Sequence, residues 1–509
     1  MKNKLSLKQK VGQLFMPAAF INDSEEEIQR LEQLIANYHI GSICFFHSRA
    51  SAATNFEGKK EVLYNKDSLD QLKILINRYQ KAAKTPLIIA IDAEWGLAMR
   101  VENTPQYPYA ITLGALPEEA LNLIRETGKN IGRDCLEAGI HWNLAPVLDV
   151  NSNPKNPVIG YRSFGSNKHK VLQKTQAFID GMNETGILNS VKHFPGHGDT
   201  AVDSHLGLPQ IEKTEDELLN QELFPFYHIE KEKLDAVMVG HLALPKITGD
   251  SLLPATLSKL LIDRYIREKM NFDGIIISDA LNMHSISKKF QEKGAVEYQA
   301  FMAGMDVLCF AEHVKEGIER IVEQAPEALI NEKYNRFEIL KSKAFAAKPQ
   351  LNYISYQDLI AKTATKSLTQ LLPDIDTSSY LDAQTHLITM GKELSHFENL
   401  LVTESSIIKS AVEKPLSTKI VLALAPPSIK PLNHFGFTTL ELERINKLLQ
   451  EKNVVLFNFG NPLFLNEIDY KKAKQVYLVY QDFPQFQEHA AKQLLQQLPL
   501  YGSLPVNLD

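Results

Sequence analysis

The chain has 509 residues, 44% of them hydrophobic and 23% charged, and at about 150 residues per domain this predicts two to four globular domains with ample apolar material for their cores. Lys and Arg number 55 against 61 Asp and Glu, and the resulting net charge of −6 supplies no electrostatic footprint for a nucleic-acid binder. Three cysteines exclude a disulfide scaffold and show no metal-type spacing, and no apolar run approaches the roughly 18 residues needed to cross a bilayer.

The first ten residues are basic, but no long apolar core follows them, so they do not read as a signal peptide. A cytoplasmic location is expected if this N-terminus is native, and an exported one if a leader has been trimmed. Eight short runs follow, apolar on both faces, at 13–17, 41–46, 87–92, 142–147, 188–193, 235–241, 274–279 and 306–310. Strands covered on both sides have this composition. Amphipathic stretches at 70–84, 117–138, 170–185 and 259–270 lie between them, so strand and helix alternate. Eight such units in about 310 residues predict an α/β chain with a (β/α)₈ TIM-like barrel. A doubly wound open sheet is the rival, and the count of eight favours the barrel. Cys44 and Cys309 sit inside these runs as small buried hydrophobes, while the polar stretch 48–65 predicts a surface loop.

Composition changes at 341–351, a Lys- and Ala-bearing helical tail that stops at Pro349. Beyond it, apolar runs at 386–390, 420–424, 454–459 and 476–480, with helical stretches at 440–451 and 485–497, predict a smaller three-layer α/β sandwich. The expected division is a catalytic barrel over 1–345, a connection over 346–370 and the second domain over 371–509.

A βα barrel carries its reacting groups at the C-terminal ends of its strands. Those ends are Asp92, Asp149, Lys192 with His193, His241 and Asp279, so ionisable residues gather where the apolar runs stop. The densest signal is Lys192-His193-Phe194-Pro195-Gly196-His197-Gly198-Asp199-Thr200-Ala201-Val202-Asp203-Ser204-His205. Zinc is a competing idea for its histidines, but neither a cysteine nor a second-strand carboxylate completes a ligand set by spacing. A phosphate cradle is a second, but the Lys-Ser/Thr ending of a P-loop is missing.

The run from Lys192 to His205 closely resembles the signature of the β-N-acetylglucosaminidases of glycoside hydrolase family 3. The stretches 5–16, 92–100, 159–164 and 278–283 support the resemblance in chain order, and the C-terminal part is similar to the family's smaller α/β sandwich domain. The resemblance implies a retaining hydrolase that removes terminal β-linked N-acetylglucosamine, with Asp279 as nucleophile. It gives the general acid/base task to His205, paired with Asp203, where most retaining glycosidases use a second carboxylic acid. A carboxylate holding one ring nitrogen fixes the imidazole's tautomer and favours its protonation. Asp92, Arg100, Arg162, Lys192 and His193 are implied sugar contacts.

No metal or organic cofactor is implied, and the expected partner is a carbohydrate, either a muropeptide fragment or a chitin-type oligosaccharide. Nucleic acid and membrane insertion are not expected, and the expected state is a monomer or weak oligomer. A phosphorylase is the rival within the class, and a sugar-binding protein without catalysis the rival outside it. Two departures from the common family pattern stand out: Ala93-Glu94-Trp95-Gly96 follows Asp92 where Gln-Glu-Gly-Gly is common, and Tyr161 precedes Arg162 where Glu is common. Trp95 is open to stacking on a sugar ring or to packing beneath its loop.

Overall fold

In the computed structural model, which describes residues 5–49, 64–200, 208–283, 286, 290–372, 375–410 and 418–508, all eight apolar runs contain strand. In chain order, with β2 lying just beyond the first run, the strands are β1 (Phe15–Met16), β2 (Ala18–Phe20), β3 (Ser42–Phe46), β4 (Ile88–Ile91), β5 (Trp142–Asn143), β6 (Ser190–Phe194), β7 (Ala236–Val239), β8 (Ile275–Ser278) and β9 (Leu308–Cys309). The first run ends at Pro17, which has no N–H to give a ladder, and a second short strand follows it. Before it β1 pairs with β9, and after it β2 pairs with β3.

All pairings among these strands are parallel, in sheets ordered β2-β3-β4-β5, β6-β7-β8 and β1-β9. Single parallel bridges, Trp142 with Leu188, Val147 with Lys192 and Ile277 with Val307, join residues of successive segments. Parallel strands require crossovers, supplied by helices such as Glu25–Tyr38, Ser68–Ala82 and Leu121–Glu137. The fold is therefore α/β. Burial on both faces explains the unbroken apolar runs: Ile88, Ile89, Ala90 and Ile91 are all inaccessible to solvent. Truncating Ile89 to Ala would cost about 2–5 kcal/mol.

Two helical expectations change. The stretch 259–270 is a short turn, Lys259–Leu261, running into a wider π-helix, Ile262–Lys269, and Met270 N bonds Tyr265 O at 3.2 Å. The tail expected to stay helical to Pro349 ends at Ala344. There the Phe345 ring turns onto His141, with centroids 4.6 Å apart, and Lys348 Nζ donates to Gly186 O at 2.6 Å. The stretch 48–65 lies mostly outside the described residues.

The C-terminal region forms one six-stranded sheet from β10 (Thr369–Gln370), β11 (Thr385–Gly391), β12 (Ile408–Lys409), β13 (Lys419–Ala425), β14 (Asn453–Asn458) and β15 (Gln475–Leu478). Its order is β10-β15-β14-β13-β11-β12, parallel throughout except for β10. Ile360, Phe397, Leu401 and Leu494, from helices Tyr356–Ser367, Ser395–Glu404 and Pro484–Gln496, share a core with Val421, Phe457 and Tyr477. Helix Thr439–Glu451 begins at a capping box in which Thr438 and Glu441 satisfy each other's backbone N–H. The expected strands at 386–390, 420–424, 454–459 and 476–480 are thus present, and the short edges β10 and β12 join them.

The chain forms two compact units. The first comprises Met1–Tyr107, Thr127–Val150 and Thr175–Tyr353, and the second Pro108–Glu126, Asn151–Lys174 and Ile354–Asp509. Two segments from the first third of the chain therefore belong with the C-terminal region. Within that second unit Gln481 Nε2 donates to Thr112 Oγ1 at 2.9 Å, Ser503 N to Ala115 O at 3.0 Å and Ser166 N to Pro505 O at 2.9 Å. Among the described residues no helix is long and apolar enough to cross a membrane.

Candidate active site

Strand ends of the first unit place the ionisable residues. Asp92 follows β4, and β6 carries Lys192, whose ammonium donates to Asp92 Oδ1 at 2.7 Å and lies 2.8 Å from Glu94 Oε1. Arg100 Nη2 donates to the other oxygen, Asp92 Oδ2, at 3.1 Å, and its guanidinium lies 3.7 Å from the centre of the Phe46 ring. Burial alone would raise Asp92, but Lys192 and Arg100 outweigh it and hold the carboxyl below its ordinary range. The result is a fixed constellation of two cations and two carboxylates, able to donate to and accept from the hydroxyls of one sugar.

The loop after Asp92 turns sharply at Gly96, where φ is +94° and an added Cβ would lie 2.8 Å from the Tyr107 ring. Trp95 is half-buried, and its carbonyl accepts Tyr107 N at 2.9 Å. Tyr161, the other departure from the family pattern, is buried in the second unit with its ring edge-on to Tyr109, centroids 5.0 Å apart. Arg162 also belongs to that unit, and its Nη1 donates to Val158 O at 3.4 Å.

His193, next along β6, is tied to fully buried Asp149. Asp149 Oδ2 accepts His193 Nδ1 at 2.8 Å, while Oδ1 accepts the backbone N–H of His193 at 3.1 Å and of His197 at 2.8 Å. Here too burial would raise the carboxyl, and the His193 and His197 interactions hold it low instead. The Lys192–His193 and Phe194–Pro195 peptides are cis, and the register to β7 shifts between Val191 and Phe194. Gly196 has φ +118°, and a Cβ there would meet Glu222 at 2.7 Å. Thr200 Oγ1 bonds His197 Nδ1 at 2.7 Å. Asp203 and His205, the pair expected to handle protons, lie outside the described residues.

Asp279 ends β8, a strand of three buried isoleucines and Ser278. Its backbone N–H bonds Val239 O at 2.9 Å, and its Oδ1 accepts the N–H of Ala280 at 2.8 Å. His241, a strand-end candidate in the sequence, is fully buried and braces this turn: Nε2 donates to Ala280 O at 2.9 Å, so Nδ1 accepts from Thr256 Oγ1 at 2.8 Å. Leu281 N bonds Cys309 O at 3.0 Å. The Cys309 thiol is pushed up, first by its hydrogen bond with Cys44 and then by burial.

The structure therefore joins Asp92, Arg100 and Lys192 directly and couples His193 to Asp149. Sequence reasoning gave no role to Glu94. Its signals were its place two residues beyond Asp92 and its match to the Glu of the common Gln-Glu-Gly-Gly pattern.

The sequence pattern of the glycosyl hydrolase family 3 N-terminal domain matches residues 6–339. Beta-hexosaminidase A of Pseudoalteromonas piscicida is 31% identical over 336 residues, which cover 62% of this chain and 54% of that protein. This chain thus spans about half the length of that relative. Beta-hexosaminidase of Actinobacillus pleuropneumoniae serotype 3 (strain JL03) is 33% identical over 307 residues, covering 59% of this chain and 81% of the relative. Among solved structures, the glycoside hydrolase family 3 beta-N-acetylglucosaminidase from Paenibacillus sp. str. FPU-7 is 26% identical, with a TM-score of 0.79 and 99% of each chain covered.

Proposed function

Because this chain belongs to glycosyl hydrolase family 3, we propose that it is a β-N-acetylhexosaminidase that releases terminal β-linked N-acetylglucosamine with retention of configuration. The observation that carries the reading is the cluster at the ends of β4 and β6, where Lys192 bridges Asp92 and Glu94 beside Arg100. Such a cluster fits the alternating hydroxyls of a pyranose. The parallel strands and their bridges support a single eight-stranded barrel over residues 1–345 with these ends at one rim. Residues 371–509 form the α/β sandwich, and within the expected connection over 346–370 helix Tyr356–Ser367 and β10 already pack with it.

In the first step an Asp279 oxygen attacks the anomeric carbon as the glycosidic C–O bond breaks, and His205 protonates the departing oxygen. In the second step His205, held by Asp203, takes a proton from water as the water displaces Asp279. Asp92, Arg100, Lys192 and His193 hold the sugar through both steps. Muropeptide fragments and chitin-type oligosaccharides both present the required terminus.

The test is hydrolysis of aryl β-N-acetylglucosaminide, β-glucoside and β-xyloside side by side. A clear preference for the N-acetyl sugar is expected, and equal or better turnover of the glucoside would overturn the substrate assignment. A sugar 1-phosphate as main product at low phosphate would replace hydrolysis with phosphorolysis.

A further inference from the structure

Asp149 has no assigned part in the reaction, yet its buried carboxylate accepts two backbone N–H groups and one ring N–H. We propose that Asp149 is a positioning residue that selects the tautomer of His193, so that Nε2 meets the sugar as a hydrogen-bond acceptor. The proposal rests on His193 being a sugar contact.

An ionised carboxylate has only acceptor sites, so the proton of the 2.8 Å contact sits on His193 Nδ1. Three N–H groups point at its two oxygens, the pattern that an ionised carboxylate accepts. In the neutral ring Nε2 then carries the lone pair and accepts a sugar O–H. The ring has little freedom to escape this arrangement. His193 is 5% exposed, a Cβ added at Gly240 would lie 3.2 Å from its own Cβ, and the His197 ring stands edge-on with centroids 5.9 Å apart.

The two carboxylate oxygens do different work, and this makes Asp149→Asn informative. Oδ1 serves both backbone donors, at 3.1 and 2.8 Å, and Oδ2 serves the ring. An amide has one accepting end and one donating end. Two backbone N–H groups claim its oxygen, leaving the NH₂ group against Nδ1. Two N–H groups cannot face each other there, so the ring proton moves to Nε2. The variant keeps the side chain's shape and its backbone bonds, but converts Nε2 from acceptor to donor. A change of tautomer behind a reacting histidine is known to be costly even where geometry survives.

The experiment is long-range ¹H–¹⁵N correlation on protein labelled at histidine nitrogen, with His193→Gln identifying the His193 signals, combined with kinetics. The neutral His193 of the unmodified protein should be Nδ1-protonated and that of Asp149→Asn Nε2-protonated. Asp149→Asn should lower kcat/KM by about 10- to 100-fold, by analogy with the loss when the partner orienting a metal-binding histidine is removed. In the His193→Gln background the same substitution should change kcat/KM by less than about twofold, as for residues acting through one group.

An Nε2–H tautomer in the unmodified protein, which needs no variant to fold, would overturn the proposal. Retention of Nδ1–H in Asp149→Asn would do the same. Equal losses in both backgrounds would overturn it by showing that Asp149 acts through the backbone of His197. A tautomer switch with unchanged kcat/KM would instead overturn His193 as a sugar contact, and the role of Asp149 with it.

Discussion

Replacing Lys192 with Met keeps the apolar stem and deletes the charge that lies 2.7 Å from Asp92 and 2.8 Å from Glu94. The side chains of Lys192, Glu94 and Asp92 are 3%, 6% and 18% exposed, so water takes over little of the lost partnership. Removing one member of a buried ion pair costs about 3–5 kcal/mol. At about 2–4 °C per kcal/mol for mid-sized domains, and less for larger ones, the melting temperature should fall by about 5–10 °C at neutral pH. The deficit should also depend on pH. With Lys192 present, Asp92 titrates below its unfolded value of 3.8. Its contribution is complete above that pH and is lost only as pH falls through the folded value. Without Lys192, burial and Glu94 oppose Arg100 alone, and Asp92 titrates above the unfolded value, so its cost grows as pH rises. The deficit should be small near pH 4 and complete by about pH 7. A lost charged hydrogen bond to the sugar, worth about 1.5–3 kcal/mol, should lower kcat/KM by roughly 10- to 150-fold. Melting curves from pH 4 to 8 and turnover of an aryl N-acetylglucosaminide measure both effects. A deficit independent of pH, or kcat/KM within threefold of the parent, would refute the reasoning.

Asp279→Asn should abolish turnover while leaving the melting temperature within a few degrees, and a fluorinated activated sugar should label Asp279 in the parent; label on Asp92 or Asp149 would move the nucleophile to another strand. His205→Ala should lose roughly 10²–10⁴-fold on a natural disaccharide and far less in forming the intermediate from a nitrophenyl sugar, which departs without protonation. A loss independent of the leaving group would remove His205 from the acid role. Burial depresses Lys174 to about 7 and Lys333 and Lys341 to about 8. Between pH 7 and 8.5 the unfolded chain therefore binds more protons than the native one, and the melting temperature should rise with pH, a slope that a flat or falling profile would contradict.

Much of this protein was readable one segment at a time. The apolar runs at 41–46, 87–92 and 274–279 became β3, β4 and β8 because a strand buried on both faces needs nothing beyond its own composition to declare itself. The helical stretch 440–451 was equally plain from its period and became helix Thr439–Glu451. The motif from Lys192 to His205 likewise carried the resemblance to the family, since it lies in one continuous stretch. The separation of β1 from β2 follows from the N–H that Pro17 lacks.

Partner choice was a different matter. That Lys192 bridges Asp92 and Glu94, about a hundred positions earlier, depends on which strand ends the fold brings together. The same holds for Asp149, which accepts from His193 and His197, and for His241, which the sequence placed among the ionisable strand ends and the structure uses to hold Ala280. The grouping of Pro108–Glu126 and Asn151–Lys174 with the C-terminal unit left no mark in composition either, because it rests on bonds such as Gln481 to Thr112, over 300 positions apart. Periodicity and motif record what each residue can do where it stands, whereas a buried charge or donor is satisfied by whatever the packing places within 3 Å, and only the tertiary structure decides that.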